Sequence, residues 1–346
     1  MKFEKTDEIA AYKVDRHWLY APSTYLLDSW EAVVEEIYLP EGASKSGELS
    51  FKFIVEGRAG TEHSPSIKSK VKQVFSEKAK DVQVSEHQVI VDLRVHSPEN
   101  LAHAITNHLP VALLAKEFLK EINQPEPLLL LPSALPKYIE QLFVSAGFQL
   151  FLTDAVVNGR VCEFEVEPWI AIRGIRHTVI QENLSGSKFA ESINTKALLL
   201  PKKIFISRRD TRCISNEHEV ERFLTAKGYQ KIYLEDYDIL EQIAMVSLAD
   251  SIVAVHGAAL GGLLFRGMYE IKPIKIVELF SPGHLTNVYR VMTQQIGGDW
   301  VGVRGKLWPD IIKQAYSAPK KVHQFAYVNF EVCILSLEKA MDRVGL

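Results

Sequence analysis

The sequence predicts an α/β protein of two domains, and three observations carry that expectation. At 346 residues the chain is long for one core. From Lys203 onward short apolar runs alternate regularly with helical stretches, and a looser β–α–β alternation spans residues 88–152. The expected boundaries are an N-terminal α/β domain over 1–190, a C-terminal one over 198–330, and a closing helix over 331–346.

Apolar residues make up 47% of the chain and charged residues 24%, a globular rather than a disordered balance. The net charge of −3 argues against a general nucleic-acid binder. Cys162, Cys213 and Cys333 lie far apart with no metal or redox spacing, and read as reduced thiols of a cytoplasmic protein. One sequon, Asn183-Leu184-Ser185, is too common a pattern to indicate secretion. The opening stretch has no apolar core of signal-peptide length, and no apolar run is long enough to span a bilayer. Peripheral membrane association and oligomeric state stay open.

Residues 1–87 carry the weakest pattern. Trp30 to Ile37 fits a helix or a strand, Glu48 to Val55 alternates as a strand, and Lys68 to Lys80 is a basic stretch that reads as a solvated face or a polyanion site. Gln88 to Leu93 is a clearer strand. Ser97-Pro98 then opens a helix expected to reach about Ile122, bent at Pro110. Leu128 to Leu131 is a buried strand, Leu135 to Ala146 a helix stopped by Gly147, and Gln149 to Leu152 and Val161 to Val166 are further strands. Residues 171–196 are polar and mixed, and read as the approach to the boundary.

Beyond Lys203 the predicted strands are 203–207, 230–234, 251–255, 274–280 and 300–303. Asn216 with Glu219, and Asp238 with Glu241, have capping-box spacing for the intervening helices. A short helix is expected over 258–265 and another over 286–296. Such alternation implies a doubly wound sheet whose ligands sit beyond the carboxyl ends of the strands. Arg208, Glu235, His256 and Ser281 all fall at that edge. Phe330 to Val344 is an amphipathic helix, packed on its own domain or bridging back to the first.

The strand-end residues suit phosphate. Arg208 and Arg209 offer paired guanidinium donors, but neighbours on a strand point opposite ways, so one faces a ligand and the other pairs with Asp210 or Glu217; Arg212 is a third candidate. His256-Gly257-Ala258-Ala259-Leu260-Gly261-Gly262 is a small-residue turn between strand and helix, open to an anion or simply closely packed. Glu235 and Glu278 could accept from ribose hydroxyls, or be surface acids paired to the arginines. Asn100, His103 and Asn107 share a helical face at i, i+3, i+7, either a cleft wall or a wet surface. His103 has the chemistry of a general base near neutrality. No DxD motif and no His or Cys ligand spacing is present, so neither a metal nor a cofactor is expected.

These blocks resemble a known family. Ile206-Ser207-Arg208-Arg209-Asp210, Arg212, Ile214, Asn216-Glu217, Glu235, Glu241-Gln242, Ala249, His256-Gly257-Ala258, Leu260, Leu263, Phe265 and Glu278-Leu279 are similar in order and spacing to the family 61 glycosyltransferases. Asn100-Leu101-Ala102-His103-Ala104 with Leu109-Pro110 resembles the family's Asn-x-x-His-aromatic and Leu-Pro block. The resemblance covers roughly residues 88–303. It implies a GT-B architecture, two Rossmann-like domains facing a cleft. It implies an inverting, metal-independent hexosyl- or pentosyltransferase of polysaccharide biosynthesis. The substrates would be a nucleotide sugar, usually a UDP-sugar, and a saccharide acceptor. Arg208 and Arg212 would meet the diphosphate and the turn at His256 to Leu260 would wrap it. Arg209, Glu235 and Glu278 would complete the donor side. His103 would be the base, with Asn100 and Asn107 on the acceptor side. The chain departs from the pattern at Ala104, Asn107 and Ala259-Leu260-Gly261-Gly262, where the family has an aromatic residue, Asp, and Gly-Leu-Thr-Asn. The competing readings are a non-catalytic nucleotide- or glycan-binding homologue and a nucleotide-sugar epimerase of the same shape.

Overall fold

A parallel strand covered on both faces reads as an unbroken apolar run, and Leu128–Leu131 and Ile252–Val255 are such runs. Both are interior strands in the computed structural model, which describes residues 3–5, 9–14, 17–22, 25–27, 49–60, 82–164, 172–282, 286–306 and 327–346. The predicted features at Trp30–Ile37 and Lys68–Lys80 lie outside the described residues. The elements form two compact units, one within Ser44–Ser192 and one joining the N-terminal strands to Ile193–Leu346.

The chain begins with β1 (Phe3–Lys5), β2 (Ile9–Val14), β3 (His17–Pro22) and β4 (Tyr25–Leu27). β1 and β4 pair antiparallel with each other, and so do β2 and β3.

The Ser44–Ser192 unit holds a six-stranded sheet. Its strands are β5 (Phe51–Ala59), β6 (Val82–Gln83), β7 (Val89–Asp92), β8 (Pro127–Leu131), β9 (Gln149–Leu152) and β10 (Val157–Phe164), in the order β5-β10-β7-β8-β9 with β6 beside β10. β10, β7, β8 and β9 run parallel, and β5 is antiparallel to β10. The helix expected from Ser97 to Ile122 is three segments: α1 (Leu101–His103), a π-helical turn (Ala104–His108) and α2 (Leu109–Glu121). Pro110 has no N–H to return to the Thr106 carbonyl and its ring crowds that oxygen. A wider turn relieves the clash, and the Leu109 N–H reaches back to Ala104 O instead. α3 (Lys137–Ser145) links β8 to β9. The stretch read as a polar approach holds two helices, α4 (Arg176–Leu184) and α5 (Lys188–Ala197). Each buries one side, Val179, Ile180 and Leu184 in α4 and Phe189, Ala190, Ile193 and Ala197 in α5, and the Ser187 hydroxyl accepts from the Ala190 amide at the start of α5.

The second unit repeats strand and helix with little interruption: β11 (Lys203–Ile206), α6 (Glu217–Ala226), β12 (Gln230–Ile232), a 3-10 turn (Leu234–Asp236), α7 (Ile239–Leu248), β13 (Ser251–Val255), a 3-10 segment (Ala258–Met268), β14 (Lys275–Phe280), α8 (Val288–Gln295), β15 (Asp299–Arg304) and α9 (Ile334–Arg343). Its seven-stranded sheet has the order β12-β11-β13-β14-β15-β3-β2. The first five are parallel, β3 continues parallel to β15, and only β2 is antiparallel. Residues 9–22 therefore depart from the expected 1–190 domain. Their partner strand is remote in sequence, and no local pattern announces such a pairing.

Successive strand residues face opposite sides. Phe205, Val253, Val255, Val277, Leu279, Val301 and Val303 form one face, packed against Val220 and Leu224 of α6 and Leu337, Ala340 and Met341 of α9. The C-terminal helix thus packs on the sheet of its own unit. Ile252, Ala254, Ile276, Glu278, Phe280 and Trp300 alternate onto the other face and are all buried. Asp238 and Glu241 form the expected reciprocal capping box at α7. Asn216 does not cap α6 with its side chain. It bonds instead to the Val332 amide and carbonyl, 2.9 Å each, tying α6 to the segment before α9.

Candidate donor and acceptor sites

The order β12-β11-β13-β14-β15 makes the chain leave β11 in one direction for β12 and cross to the other side for β13. In open parallel sheets the connections part at such a point, and the crevice they leave beyond the carboxyl ends, here those of β11 and β13, is the usual ligand position. Arg208 follows β11 and His256-Gly257 follows β13. Arg208 Nη1 donates to the His256 carbonyl at 3.4 Å. A Cβ on Gly257 would lie 2.6 Å from the same Nη1, so the glycine makes room for the guanidinium. The buried Nε of Arg208 finds no hydrogen-bond partner among the described residues.

Arg212 supplies a second cation. Its backbone is left-handed at φ 58°, uncommon for a residue with a side chain and a frequent mark of functional loops. Burial first, and then the charge of Arg208, hold its pKa below the usual guanidinium value. The guanidinium lies 5.6 Å from the Tyr327 ring centroid. Two half-buried arginines that repel one another form a site an anion would stabilise.

Arg209 points elsewhere, as alternation requires. It forks onto Asp236 with bonds of 2.5 and 2.6 Å, stacks 3.9 Å over the Tyr233 ring and lies 3.7 Å from Glu235. Its partner is Asp236 and not Asp210 or Glu217. Glu217 is engaged by the Ser207 and Tyr233 hydroxyls. Arg209 and Glu235 thus belong to an exposed ion-pair cluster beside the crevice.

Glu278 departs further from its expected role. It sits within β14, fully buried, where it cannot touch a nucleoside. Its Oε1 is 2.5 Å from His256 Nδ1, and its Oε2 accepts from Trp300 Nε1 at 2.8 Å. The His256 ring stacks on Phe280 and lies against Tyr289, each with centroids 5.4 Å apart. Sequence reasoning missed Trp300, Phe280 and Tyr289, because only the strand register brings them beside His256. The predicted last strand, 300–303, stops one residue short of Arg304, which closes β15 fully buried at the same sheet edge.

In the turn after His256, Ala258 and Ala259 are half-buried and Leu260 is buried. The Leu260 amide already bonds Gly257 O at 3.3 Å. Gly262 packs against α7, where a Cβ would lie 3.0 Å from Val246 Cβ. A larger residue there would meet helix rather than open crevice.

Asn100, His103 and Asn107 belong to the Ser44–Ser192 unit. Asn100 is the N-cap of α1, and its side-chain oxygen accepts from the Ala102 and His103 amides at 2.9 and 3.4 Å. Its oxygen is therefore committed to the helix start. His103 Nδ1 lies 2.9 Å from the His96 carbonyl. A carbonyl only accepts, so Nδ1 carries the proton and Nε2 has the lone pair. His96 and Ser97 hold left-handed φ angles of 55° and 54°, which aim that carbonyl. The strand end beneath is clamped by Arg94, which forks onto Asp92 and donates to the Thr153 and Ala155 carbonyls. Asn107 is half-buried and accepts from the Thr106 hydroxyl at 3.4 Å. His108 is buried, and its pKa is lowered to about 3, chiefly by burial and then by His103 and His96.

Among the described residues no group of three or more His, Cys, Asp or Glu has the geometry of a metal site, and no helix is long and apolar enough to cross a membrane. No curated protein matches the chain. The family model described as Glycosyltransferase 61 matches residues 37–271, a stretch that includes His103, Arg208, Arg212 and His256. The chain belongs to the glycosyltransferase 61 family and is a glycosyltransferase.

Proposed function

We propose that the protein is an inverting, metal-independent hexosyl- or pentosyltransferase that uses a nucleoside diphosphate sugar, with UDP as the carrier, and a saccharide hydroxyl as acceptor. In this reading the Ile193–Leu346 unit holds the donor and the Ser44–Ser192 unit the acceptor, in a GT-B arrangement, and the reaction takes place in the cytoplasm. The observation that carries it is the pair Arg208 and Arg212 at the switch point of a doubly wound sheet, with Gly257 shaped to admit a guanidinium.

The chemistry assigns each group a task. The acceptor hydroxyl gives its proton to His103 Nε2 as its oxygen attacks the anomeric carbon. The bond from that carbon to the diphosphate oxygen breaks on the opposite side, and the nucleoside diphosphate leaves with the electron pair. Arg208 and Arg212 take up the charge that develops on the leaving group. Attack opposite the leaving group inverts the anomeric centre.

A thermal-shift series of nucleoside diphosphates and nucleotide sugars tests the reading. A ligand at a hundred times its Kd stabilises the folded state by about 2.7 kcal/mol, enough for a clear rise in Tm. UDP and a UDP-sugar are expected to give that rise. A series in which no nucleoside diphosphate moves Tm contradicts the donor assignment.

A further inference from the structure

We propose that Glu278 and Trp300 are positioning residues of the donor site, acting through His256 to hold its ring in one tautomer against the diphosphate. The inference rests on the donor reading above and extends it to two residues that lie outside the matched stretch 37–271.

Glu278 occupies a strand position flanked by Val277 and Leu279, and it is 0% exposed. A carboxylate buried at such depth costs several kcal/mol unless both oxygens are bonded. Here they are, and the two partners fix each other's roles. An indole N–H can only donate, so Oε2 of Glu278 accepts from Trp300. Oε1 lies 2.5 Å from His256 Nδ1, and in the proposed arrangement Nδ1 carries the proton between them and the carboxylate accepts.

Packing holds the imidazole in that orientation. Phe280 stacks on it at an interplanar angle of 22°, Tyr289 lies against it at 49°, and Phe280 in turn meets Trp300 edge-on at 62°. The backbone is held as well: His256 N donates to Leu279 O at 2.9 Å, and His256 O accepts from Arg208. One residue therefore links the buried carboxylate to the arginine at the crevice. Among the described residues, Glu278 from β14, Tyr289 from α8 and Arg208 after β11 contact it; the charge of Arg212 acts on Arg208 beyond them. An apolar residue at 278, as at its neighbours, would take this acceptor away from the Trp300 indole N–H and from His256 Nδ1. The carboxylate serves to keep Nδ1–H turned inward and the ring in one orientation beside Arg208.

Two measurements on the full chain test this, with Glu278→Gln as the variant. The first is the ring ¹⁵N spectrum of histidine-labelled protein without ligand, with His256 assigned by its loss in His256→Asn. Wild type is expected to show the Nδ1–H form. In Glu278→Gln the amide oxygen must accept from Trp300 and the amide N–H then donates to Nδ1, so the ring is expected to switch to Nε2–H. An Nε2–H wild type, or a variant with the wild-type tautomer, overturns the proposal. The second is UDP affinity. Glu278→Gln is expected to bind UDP about tenfold more weakly than wild type. Identical affinities overturn the proposal. If Glu278→Gln does not fold, Trp300→Phe removes only one donor and is expected to weaken UDP about threefold; unchanged affinity is then the contrary result. A wild type that binds no UDP sinks the donor reading itself, whereas UDP binding that depends on Arg208 but not on Glu278 sinks only this one.

Discussion

Arg208 Nη1 sits 3.4 Å from the His256 carbonyl, in the space that a Cβ on Gly257 would take. Gly257 has an extended backbone at φ −178°, which any residue can adopt. Its need for a missing side chain is therefore steric and comes from one flexible partner. Gly257→Ala is expected to leave stability within about 1 kcal/mol, since only the far end of Arg208 must move. UDP affinity should fall about tenfold, equivalent to ~1.4 kcal/mol. Melting curves alongside calorimetric titration check both halves. A variant that binds normally would show that Arg208 has no fixed place in the site.

His103 separates chemistry from binding. With Nδ1 bonded to the His96 carbonyl, Nε2 is the ring atom able to take a proton. His103→Ala is expected to lower turnover by about a hundred- to ten-thousand-fold while UDP affinity stays within about twofold. Steady-state rates with a saccharide acceptor, and titration of UDP, distinguish this from a general loss of fold.

His108 sets an acid limit on stability. Its pKa falls from 6.5 unfolded to about 3 folded, because burial and the neighbouring His103 and His96 disfavour the imidazolium. Between those values the unfolded chain binds the extra proton, so stability is complete above 6.5 and declines as pH falls toward 3. The largest slope from one such group is about 1.4 kcal/mol per pH unit. Urea midpoints measured downward from neutral pH are expected to fall less steeply in His108→Met than in wild type. Parallel curves would assign the acid sensitivity to other groups.

Much of the Ile193–Leu346 unit is legible in its residues because its parallel strands are buried on both faces. Lys203–Ile206, Ser251–Val255 and Lys275–Phe280 are short apolar runs with clear ends, and counting those ends brings Arg208 and His256 to one edge. Asp238 and Glu241 announce their helix through a local bond that needs nothing from the rest of the fold. What stays hidden depends on pairing between distant segments. Glu278 reads as a strand-end acid until β14 and β15 are set in register and Trp300 comes within reach of it. The β3 strand joins β15 across nearly the whole chain, and Asn216 turns from cap to bridge because the Val332 backbone competes for its amide. Gly262, which departs from the family pattern, has its reason in Val246 of α7, a contact that no turn motif encodes.

In the proposed site Arg208, at the switch point of the sheet, holds the diphosphate, whereas Arg209 is occupied by Asp236. Calorimetric titration of UDP into wild type, Arg208→Ala and Arg209→Ala tests it most directly. Loss of a charge-assisted contact should weaken binding about ten- to a hundredfold in Arg208→Ala, with Arg209→Ala within about threefold of wild type. Equal affinity in wild type and Arg208→Ala, or a larger loss in Arg209→Ala, would contradict the account.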